Sequence, residues 1–409
     1  MESNKRSSLL INSLIFFILA VSPASLIAQE LSGNTDSLNS GNPTDLIDVY
    51  RDITRKNSTQ RTFDSSNSRK NSFTFLPAVG YTLQTGLTAL LAANYSFSSA
   101  KYPQQNRSLV SAALNFSQRN QIFLISQSNI WAKNNKYFFP GEFRLMKYPQ
   151  YSYGFGSKSD PSESFKLNYY YLRLYEDALI RIGKNLYAGP GFRFDDHWDI
   201  HQEIPDSTET DYNHYGYTKK SISSGLAINV LMDSRDNPVN PGKGHFLKIV
   251  ARLNMKALGS DSNWTSVLLE GRKFIPIDHG SKIIALWTYN WITTGGYSPY
   301  LDLPSLGWDS YNNTGRGYIQ SRFMGKKMLY DEAEFRFRLT RNGLLGAVIF
   351  ANAHSFTESP SERFEKINFG YGGGIRIKLN KFSGSNIAID YGFGGMGSRG
   401  LFVNLGEVF

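Results

Sequence analysis

From residue 71 to the C-terminus, apolar and polar positions alternate in short segments separated by polar or glycine-containing turns. Alternation with a period of two places successive side chains on opposite faces of a β-strand, so each segment predicts a strand with one apolar and one polar face. In the segment 366–379 the odd positions are mostly apolar and the even positions are polar or glycine. Sixteen segments are predicted as strands: 72–81, 87–98, 108–118, 121–132, 136–147, 165–182, 185–196, 222–234, 244–256, 263–275, 282–294, 327–340, 343–354, 366–379, 386–394 and 400–409.

The lengths of these segments and of their connections predict how the strands are arranged. Each segment is close to the roughly 9–11 residues with which a tilted strand crosses a bilayer. The long connections 197–221, 295–326 and 355–365 alternate with short turns, as they do in membrane barrels whose long loops lie outside the cell. The sequence therefore predicts an all-β protein, a transmembrane antiparallel β-barrel of 16 strands with a periplasmic N-terminus. The strands before residue 165 fit this alternation less well, so we expect boundary errors there.

The N-terminal residues predict export. Two basic residues precede an apolar stretch and then small residues, which is the order of a secretory signal peptide, and we expect residues 1–28 to be removed. Residues 29–70 are polar and predict a mostly disordered periplasmic segment with a short helix near 45–55, capped by Thr44. That helix either rests on the periplasmic end of the barrel or serves as a plug or docking helix for a partner. The barrel itself is expected to span residues 71–409.

Composition narrows the class of protein further. Aromatic residues make up 14% of the chain, which is typical of barrels with aromatic girdles, and the mean hydropathy of −0.35 excludes a bundle of membrane helices. The absence of cysteine excludes a lipoprotein anchor, disulfide bonds and cysteine-based metal sites or nucleophiles. The net charge of +10 comes without a basic helix or an RNA-binding motif, so we expect no nucleic-acid partner. Neither a cofactor nor a metal ion is expected.

A polar loop carrying Arg316, Gly317 and Tyr318 is the strongest candidate site. Arg316 lies between two glycines, which allow a tight turn that exposes the guanidinium. The following strand carries Glu334 on its polar face. Because a buried arginine needs a carboxylate partner, we expect the loop to fold into the lumen and Arg316 to pair with Glu334, with Asn352 accepting a further hydrogen bond. The alternative is a mobile outer loop with a solvated arginine.

A second motif lies in the turn after the segment 222–234. The residues that restrict or bend the backbone there are Asp233, Arg235, Asp236, Asn237, Pro238 and Gly244. Proline fixes φ, Asn and Asp side chains bond back to the backbone, and glycine reaches left-handed conformations. The motif therefore predicts a stiff periplasmic turn.

The two ends of the barrel sequence predict a weak closure. The last segment, 400–409, alternates and finishes on an aromatic residue, Phe409. Glu407 interrupts its apolar pattern, and we expect this side chain at the periplasmic rim, where a charge costs little. The first strand contains Pro77, which cannot donate to a ladder, and both end strands contain glycine. We therefore predict a short seam that could part laterally.

Together these motifs resemble the BamA/TamA superfamily of outer-membrane barrels, the bacterial surface antigen type, firmly over residues 222–409 and weakly over 71–221. The RGY loop resembles the lumenal loop tip of that family, the 233–244 turn resembles its periplasmic turn, and the terminal phenylalanine resembles its assembly signal. The resemblance implies that Glu334 is the acidic partner of the loop arginine and that Asn352 stands where the family usually has aspartate. About forty residues before the barrel are too few for a POTRA domain, so the resemblance is to a member without them.

The resemblance implies a barrel that acts in membrane-protein assembly or protein translocation, through its lumen or a lateral seam, in the Gram-negative outer membrane. The alternative hypothesis is a simple outer-membrane channel, or a structural or accessory barrel without insertase activity. The sequence places no nucleophile–base pair on adjacent outer strand ends, so we predict that the protein is not an enzyme. The expected partners are outer-membrane lipid, the barrel assembly machinery during biogenesis, and outer-membrane or periplasmic proteins.

Overall fold

The computed structural model describes residues 43–53, 71–204 and 209–409. The predicted signal peptide and most of the predicted disordered segment lie outside the described residues. None of the helices in these described ranges is long and apolar enough to cross a membrane. The α-helices are α1 (Leu46–Ile53) and α2 (Asp211–Gly216). The strands are β1 (Ser72–Thr82), β2 (Gly86–Phe97), β3 (Ser108–Ser117), β4 (Ile122–Ala132), β5 (Tyr137–Lys147), β6 (Gln150–Ser152), β7 (Phe165–Asp177), β8 (Leu179–Gly183), β9 (Leu186–Gln202), β10 (Lys220–Asp233), β11 (Gly244–Asn254), β12 (Trp264–Ile277), β13 (Lys282–Gly296), β14 (Lys327–Arg338), β15 (Leu345–Phe356), β16 (Asn368–Lys378), β17 (Asn386–Gly394) and β18 (Arg399–Leu405).

All the strands belong to one antiparallel sheet, in which neighbours pair in chain order. The ladder of β5 with β7 ends at Lys147↔Tyr170 and resumes as β6 with β7 at Gln150↔Leu167. Pro149, which has no N–H to donate, lies in this gap. In the same way, β8 continues the pairing of β7 with β9. The sheet therefore has 18 strands where the sequence predicts 16, and the two additional ones are the short segments beyond these interruptions.

Side chains alternate across the sheet between an apolar outer surface and a polar interior. On β15 and β16 the outward Ile349 and Phe369 are exposed, whereas the inward Asn352 and Arg376 are buried. Charged residues thus lie inside and apolar residues outside, as expected for a barrel that faces lipid. This arrangement confirms the predicted all-β, antiparallel barrel.

The first and last strands meet without a ladder. Within the described residues, hydrogen-bonded pairing joins the other neighbouring strands around the sheet, but none joins β1 to β18. β18 contains only seven residues, and Pro77 removes a donor from β1. The two edges touch at the outer end, where a Cβ placed on Gly400 would lie 2.4 Å from Leu83 Cδ1. This seam is the weakest point of the sheet.

Helix α1 rests on the short turns at one end of the barrel, close to the seam. Asp45 provides its cap, since Asp45 Oδ1 accepts the Asp48 N–H at 2.9 Å, so the predicted cap, Thr44, is one residue too early. Lys381, in the turn between β16 and β17, pairs with Asp48 at 2.9 Å. Leu46 packs against an apolar cluster formed by β1, β2, β3, β17 and β18. The helix is therefore attached to both sides of the seam.

Candidate functional site

The connection between β13 and β14, residues 297–326, folds into the barrel. Its side chains Leu306, Tyr318 and Phe323 are each at most 2% exposed. Asp309 closes the tip, because its Oδ1 accepts the Thr314 N–H at 2.7 Å. We call this segment the lumenal loop. Its burial argues against the alternative of an outer loop with a solvated arginine.

Arg316, at the tip of the lumenal loop, is buried among inward-facing carboxylates. Its Nη2 atom lies 2.5 Å from Glu334 Oε1 and also pairs with Glu332. Its Nη1 atom lies 2.8 Å from Asp390 Oδ2. The guanidinium also covers the Phe350 ring, whose centroid is 3.7 Å away. The structure thus brings together the arginine and the glutamate that the sequence singles out. It adds Asp390 on β17, which sequence reasoning did not identify as a partner.

Asn352 contacts the loop through a different atom from the one expected. Its Nδ2 donates to the backbone carbonyl of Arg316 at 2.9 Å. The expectation that Asn352 accepts a hydrogen bond from the guanidinium is wrong, because the carbonyl of the loop faces β15. An asparagine can donate to this carbonyl, whereas an ionised aspartate cannot.

Glycines on the wall admit the backbone of the loop tip. A Cβ on Gly370 would lie 2.6 Å from the Arg316 carbonyl oxygen, and one on Gly392 would lie 2.6 Å from the Gly317 nitrogen. The Tyr318 hydroxyl donates to a carbonyl of β16 at 2.6 Å. Gly392 is therefore a site residue that sequence reasoning missed. The sequence feature that could have identified it is a glycine at an inward-facing position of a strand.

Further ion pairs extend the contacts around Arg316. Arg336 Nε lies 2.6 Å from Glu334 Oε2, and Arg376 Nη1 lies 2.5 Å from Asp390 Oδ1. We name the linked residues the latch cluster: Arg316, Glu332, Glu334, Arg336, Arg376, Asp390 and Glu407. Without the loop arginine, the wall strands hold three carboxylates and two arginines, and Glu407, beyond the end of β18, adds a fourth carboxylate. The lumenal loop therefore supplies a cation to a wall with a surplus of negative charge.

The last four residues leave the barrel wall and enter the lumen. β18 ends at Leu405, not at residue 409 as the sequence predicts, and Gly406 turns the chain with a φ of +89°. The Phe409 ring stacks on Trp287, with their centroids 5.1 Å apart. Glu407 is buried in the latch cluster, 2.7 Å from an arginine, so its expected position at the rim is wrong. The inward turn moves this charge away from water and toward compensating cations.

This tail and the lumenal loop hold each other. Asn313 Nδ2 donates to the Val408 carbonyl at 2.7 Å. Arg336 Nη2 donates to the Phe409 carbonyl at 2.9 Å. Because Arg336 also belongs to the latch cluster, the loop, the tail and the wall form one connected network.

The predicted periplasmic turn reaches across the inner mouth of the barrel. Its predicted residues lie between β10 and β11 or at the ends of these strands: Asp233, Arg235, Asp236, Asn237, Pro238 and Gly244. Arg235 pairs with Asp233 at 2.7 Å, and Asp236 Oδ1 accepts the Asn237 N–H at 2.9 Å. Asn237 Nδ2 then donates to the Ser383 carbonyl at 2.9 Å, in the turn between β16 and β17. The motif is therefore a bridge across the mouth as well as a stiff turn.

A second group of charges lines the opposite wall, on β5, β7, β9 and β11. Arg173 Nη1 lies 3.1 Å from Glu142 Oε1, and its Nε lies 3.3 Å from Asp195. Arg252 Nη1 lies 2.7 Å from Asp195, and Arg144 Nε lies 2.6 Å from Glu142. We name these five residues the basic cluster, since it contains three arginines and two carboxylates. Its charge surplus is opposite to that of the wall around the loop tip, and sequence reasoning did not identify it.

The lumenal loop contacts this second wall through Asp302. Its Oδ2 accepts a hydrogen bond from Ser223 Oγ at 2.6 Å, and its Oδ1 lies 3.9 Å from His197 Nδ1. Burial raises the pKa of Asp302 to about 7, and the nearby carboxylate of Asp195 adds to the rise. The loop therefore spans the lumen, with a carboxyl group at the basic wall and Arg316 at the acidic one.

Cavities remain around the lumenal loop. One of about 200 Å³ lies between the loop and the basic cluster. Another, of about 490 Å³, occupies the inner mouth beside the C-terminal tail. A third, of about 120 Å³, lies behind the seam, where β1, β18 and residues 310–314 of the loop meet. Within the described residues, no group of His, Cys, Asp and Glu side chains is arranged to hold a metal ion.

Comparisons with known proteins agree with this geometry. Residues 164–394 match the model of the Omp85 superfamily domain. The fold is similar to that of BamA from Haemophilus ducreyi lacking POTRA domains 1–3, with a TM-score of 0.56 at 12% sequence identity, over 94% of this chain and 82% of that one. It is also similar to CdiB from Escherichia coli, with a TM-score of 0.54 at 10% identity, over 94% of this chain and 74% of that one. No curated protein sequence matches the chain.

Proposed function

Because this chain belongs to the Omp85 superfamily, we propose that it inserts or translocates proteins through the seam between β1 and β18. The observation that carries the proposal is the missing ladder at this seam. In lipid each unpaired backbone group costs several kcal/mol. An extended substrate segment that adds to an open strand edge supplies the missing hydrogen bonds. Pairing of an incoming strand with the open edge at the seam is therefore favourable.

The lumenal loop supports the same function from inside the barrel. It lines the cavity behind the seam, and Asn313 binds the tail that continues β18. The latch cluster then holds the loop, the tail and the edge of β18 in one position. Opening the seam by moving β18 requires the network around Arg316 to move as well.

We further propose the Gram-negative outer membrane as the location, with lipid around the apolar outer surface. Members of this superfamily work there with other outer-membrane machinery. The partners proposed for this chain are the barrel assembly machinery during biogenesis and outer-membrane or periplasmic proteins. No catalytic step is part of the proposal.

The alternative is a simple channel or accessory barrel, which the cavities in the lumen favour. The 200 Å³ cavity and the 490 Å³ inner cavity share lining residues and therefore lie next to each other. A channel would require the two cavities to connect into a solute path, and it does not need a seam that opens.

A disulfide across the seam tests the proposal. Leu83→Cys with Gly400→Cys suits the geometry, because a Cβ at residue 400 would lie 2.5 Å from Leu83 Cγ, near the place of a sulfur atom. Ala93→Cys with Ala112→Cys, a register pair within the β2–β3 ladder, is the matched control. Each pair is placed in liposomes with an unfolded outer-membrane barrel, and folding is followed by heat-modifiable migration.

We expect the protein to accelerate substrate folding, and oxidation of the seam pair to abolish the acceleration reversibly. The oxidised control should keep full activity. Full activity in the oxidised seam pair would reject the lateral route. A conducting protein that never accelerates folding would favour the channel.

A further inference from the structure

We propose that the cavity beside the basic cluster binds a small soluble anion that carries a phosphate or carboxylate group. The cavity measures about 200 Å³, below the roughly 300–1,000 Å³ of pockets for drug-sized ligands, so it suits a compact solute. Its charged lining residues are Arg173, Arg193, Lys248, Arg252, Glu142 and Asp177. Four cations therefore face two carboxylates. This inference does not depend on the seam or on insertase activity.

The cation left over is Lys248. Arg193 is neutralised by Asp177 at 2.6 Å, and the arginines of the basic cluster share its two carboxylates. Across the β11–β12 ladder Lys248 faces Glu270, but that carboxylate pairs with Arg272 at 2.5 Å. The Lys248 ammonium makes no hydrogen bond or ion pair among the described residues, and the nearby Glu142 carboxylate, with which it interacts at longer range, is already paired with Arg144 and Arg173. An ammonium without a close partner, in a cleft with low-dielectric walls, concentrates anions.

Arg144, which lies behind the lining residues of the cavity, has one donor atom without a partner in the part of the chain that the structure describes. Arg144 is 1% exposed, and its Nη1 atom has no hydrogen-bond partner among the described residues. Its Nη2 atom donates to the carbonyl of Ser310, which lines the cavity. A buried donor of this kind is costly unless a ligand or water accepts from it. The charge of Arg144 adds to the positive potential at the cavity.

The position of the cavity indicates where the anion comes from. The cavity shares Lys248, Asp177 and Tyr311 with the larger cavity at the inner mouth. The two cavities are therefore neighbours, and the strands of the wall separate them from lipid, so we infer that a solute enters from the inner mouth. Trp308 adds aromatic lining, on which a sugar ring can pack, whereas the Tyr175 ring is already covered by Arg173 and Arg193. The chemistry fits a sugar phosphate or a similar hydrophilic anion.

Calorimetry on the full chain in a zwitterionic detergent tests the site, with inorganic phosphate and glucose 6-phosphate as probes and glucose as the neutral control. We expect saturable binding of both anions and none of glucose. Lys248→Gln should weaken binding at least tenfold. Lys273→Gln, on the exposed outer face of β12, should leave it unchanged. Absence of saturable binding, or equal affinities in the two variants, would overturn the proposal.

Two further measurements complete the test. Repeating the titration in nanodiscs with phosphatidylglycerol or with phosphatidylcholine distinguishes a soluble anion from a lipid headgroup, since a headgroup ligand would compete only in the first. Competition would overturn the soluble source. Under a KCl gradient in planar bilayers, the reversal potential should show a preference for chloride, and Lys248→Glu should move it toward potassium. An unchanged reversal potential in this variant would contradict the site.

Discussion

The two walls of the lumen both contain arginines and carboxylates, but their surpluses of charge have opposite signs. The wall around the latch cluster has surplus carboxylates, and the lumenal loop completes it with Arg316. The wall around the basic cluster has surplus arginines and is left facing a cavity that also contains Lys248. A single loop tip carries one guanidinium and can neutralise only a negative wall. The sign of each surplus therefore decides which wall receives the guanidinium of the loop, whereas the other wall receives the carboxyl group of Asp302 and faces the cavity.

Arg316→Ala should have the largest effect, because it removes the cation that completes the acidic wall. Removing one partner of a buried ion pair costs about 3–5 kcal/mol, because the remaining charges are left uncompensated. We expect the lumenal loop to leave the acidic wall, the free energy of unfolding in lipid vesicles to fall by about that amount, and pore conductance to rise. Arg341→Ala, at an exposed position in an inner turn, is the control and should change neither quantity. A normal conductance in Arg316→Ala would mean that the loop is held by its apolar contacts.

A double-mutant cycle sharpens the assignment of the pair. Arg316→Ala and Glu334→Ala remove two ends of one contact at 2.5 Å, so their effects on the free energy of unfolding should not add. We expect an interaction energy of about 1–3 kcal/mol. The same cycle with Glu142→Ala, on the basic wall, should give a value near zero. Additive effects in the first cycle would show that Glu332 and Asp390 hold the arginine without Glu334.

Gly392→Ala tests how closely the loop approaches the acidic wall. The new methyl group would lie 2.6 Å from the Gly317 nitrogen, so the loop tip must shift. Overpacking of this kind costs about 1–3 kcal/mol. Gly183→Ala is the control, since its Cβ meets only ordinary contacts from 3.4 Å. Unfolding in urea and proteolysis of the loop should separate the two variants, and equal stability would show that the tip is not seated against β17.

The smallest expected effect is a pH dependence at the basic wall. The folded-state pKa of Asp302, about 7, lies above the unfolded value near 3.9. This group therefore destabilises the folded state increasingly as pH rises from about 4 to about 7, and most above that. Asp302→Asn should be more stable than the parent at pH 8 and nearly equal to it at pH 4, as followed by unfolding in urea. The reverse order would mean that the ionised carboxylate is stabilised by the arginines of that wall.

The sequence pattern predicted the features that depend on strand periodicity, namely the strands and the face that each residue occupies. Alternation placed Glu334 on the polar face of the strand that follows the loop. A buried arginine needs a carboxylate partner, so this placement was enough to predict the pair. Alternation could not identify Asp390 as a partner, because a period of two says which face a residue occupies and not what it meets across a lumen. The basic cluster was missed for the same reason, since it joins side chains from four separate strands.

The C-terminal residues show a different limit. Phe409 continues the alternation of a lipid-facing strand, but it packs in the lumen against Trp287, and the carbonyl of Val408 binds the loop. An apolar side chain gains from burial against aromatic rings as well as from contact with lipid. Only the left-handed turn at Gly406 distinguishes the two outcomes, and glycine is compatible with both.

The burial of Phe409 implies that recognition of this residue by another protein can occur only before the barrel has folded. If a receptor recognises the newly exported chain by this residue, the residue is accessible only until its ring packs against Trp287. A finished barrel would then no longer be visible to that receptor, so it could not be captured a second time. A copy whose loop had not yet settled would keep its end accessible and would remain marked as incomplete. The last four residues would thus be recognised before assembly and be inaccessible after it.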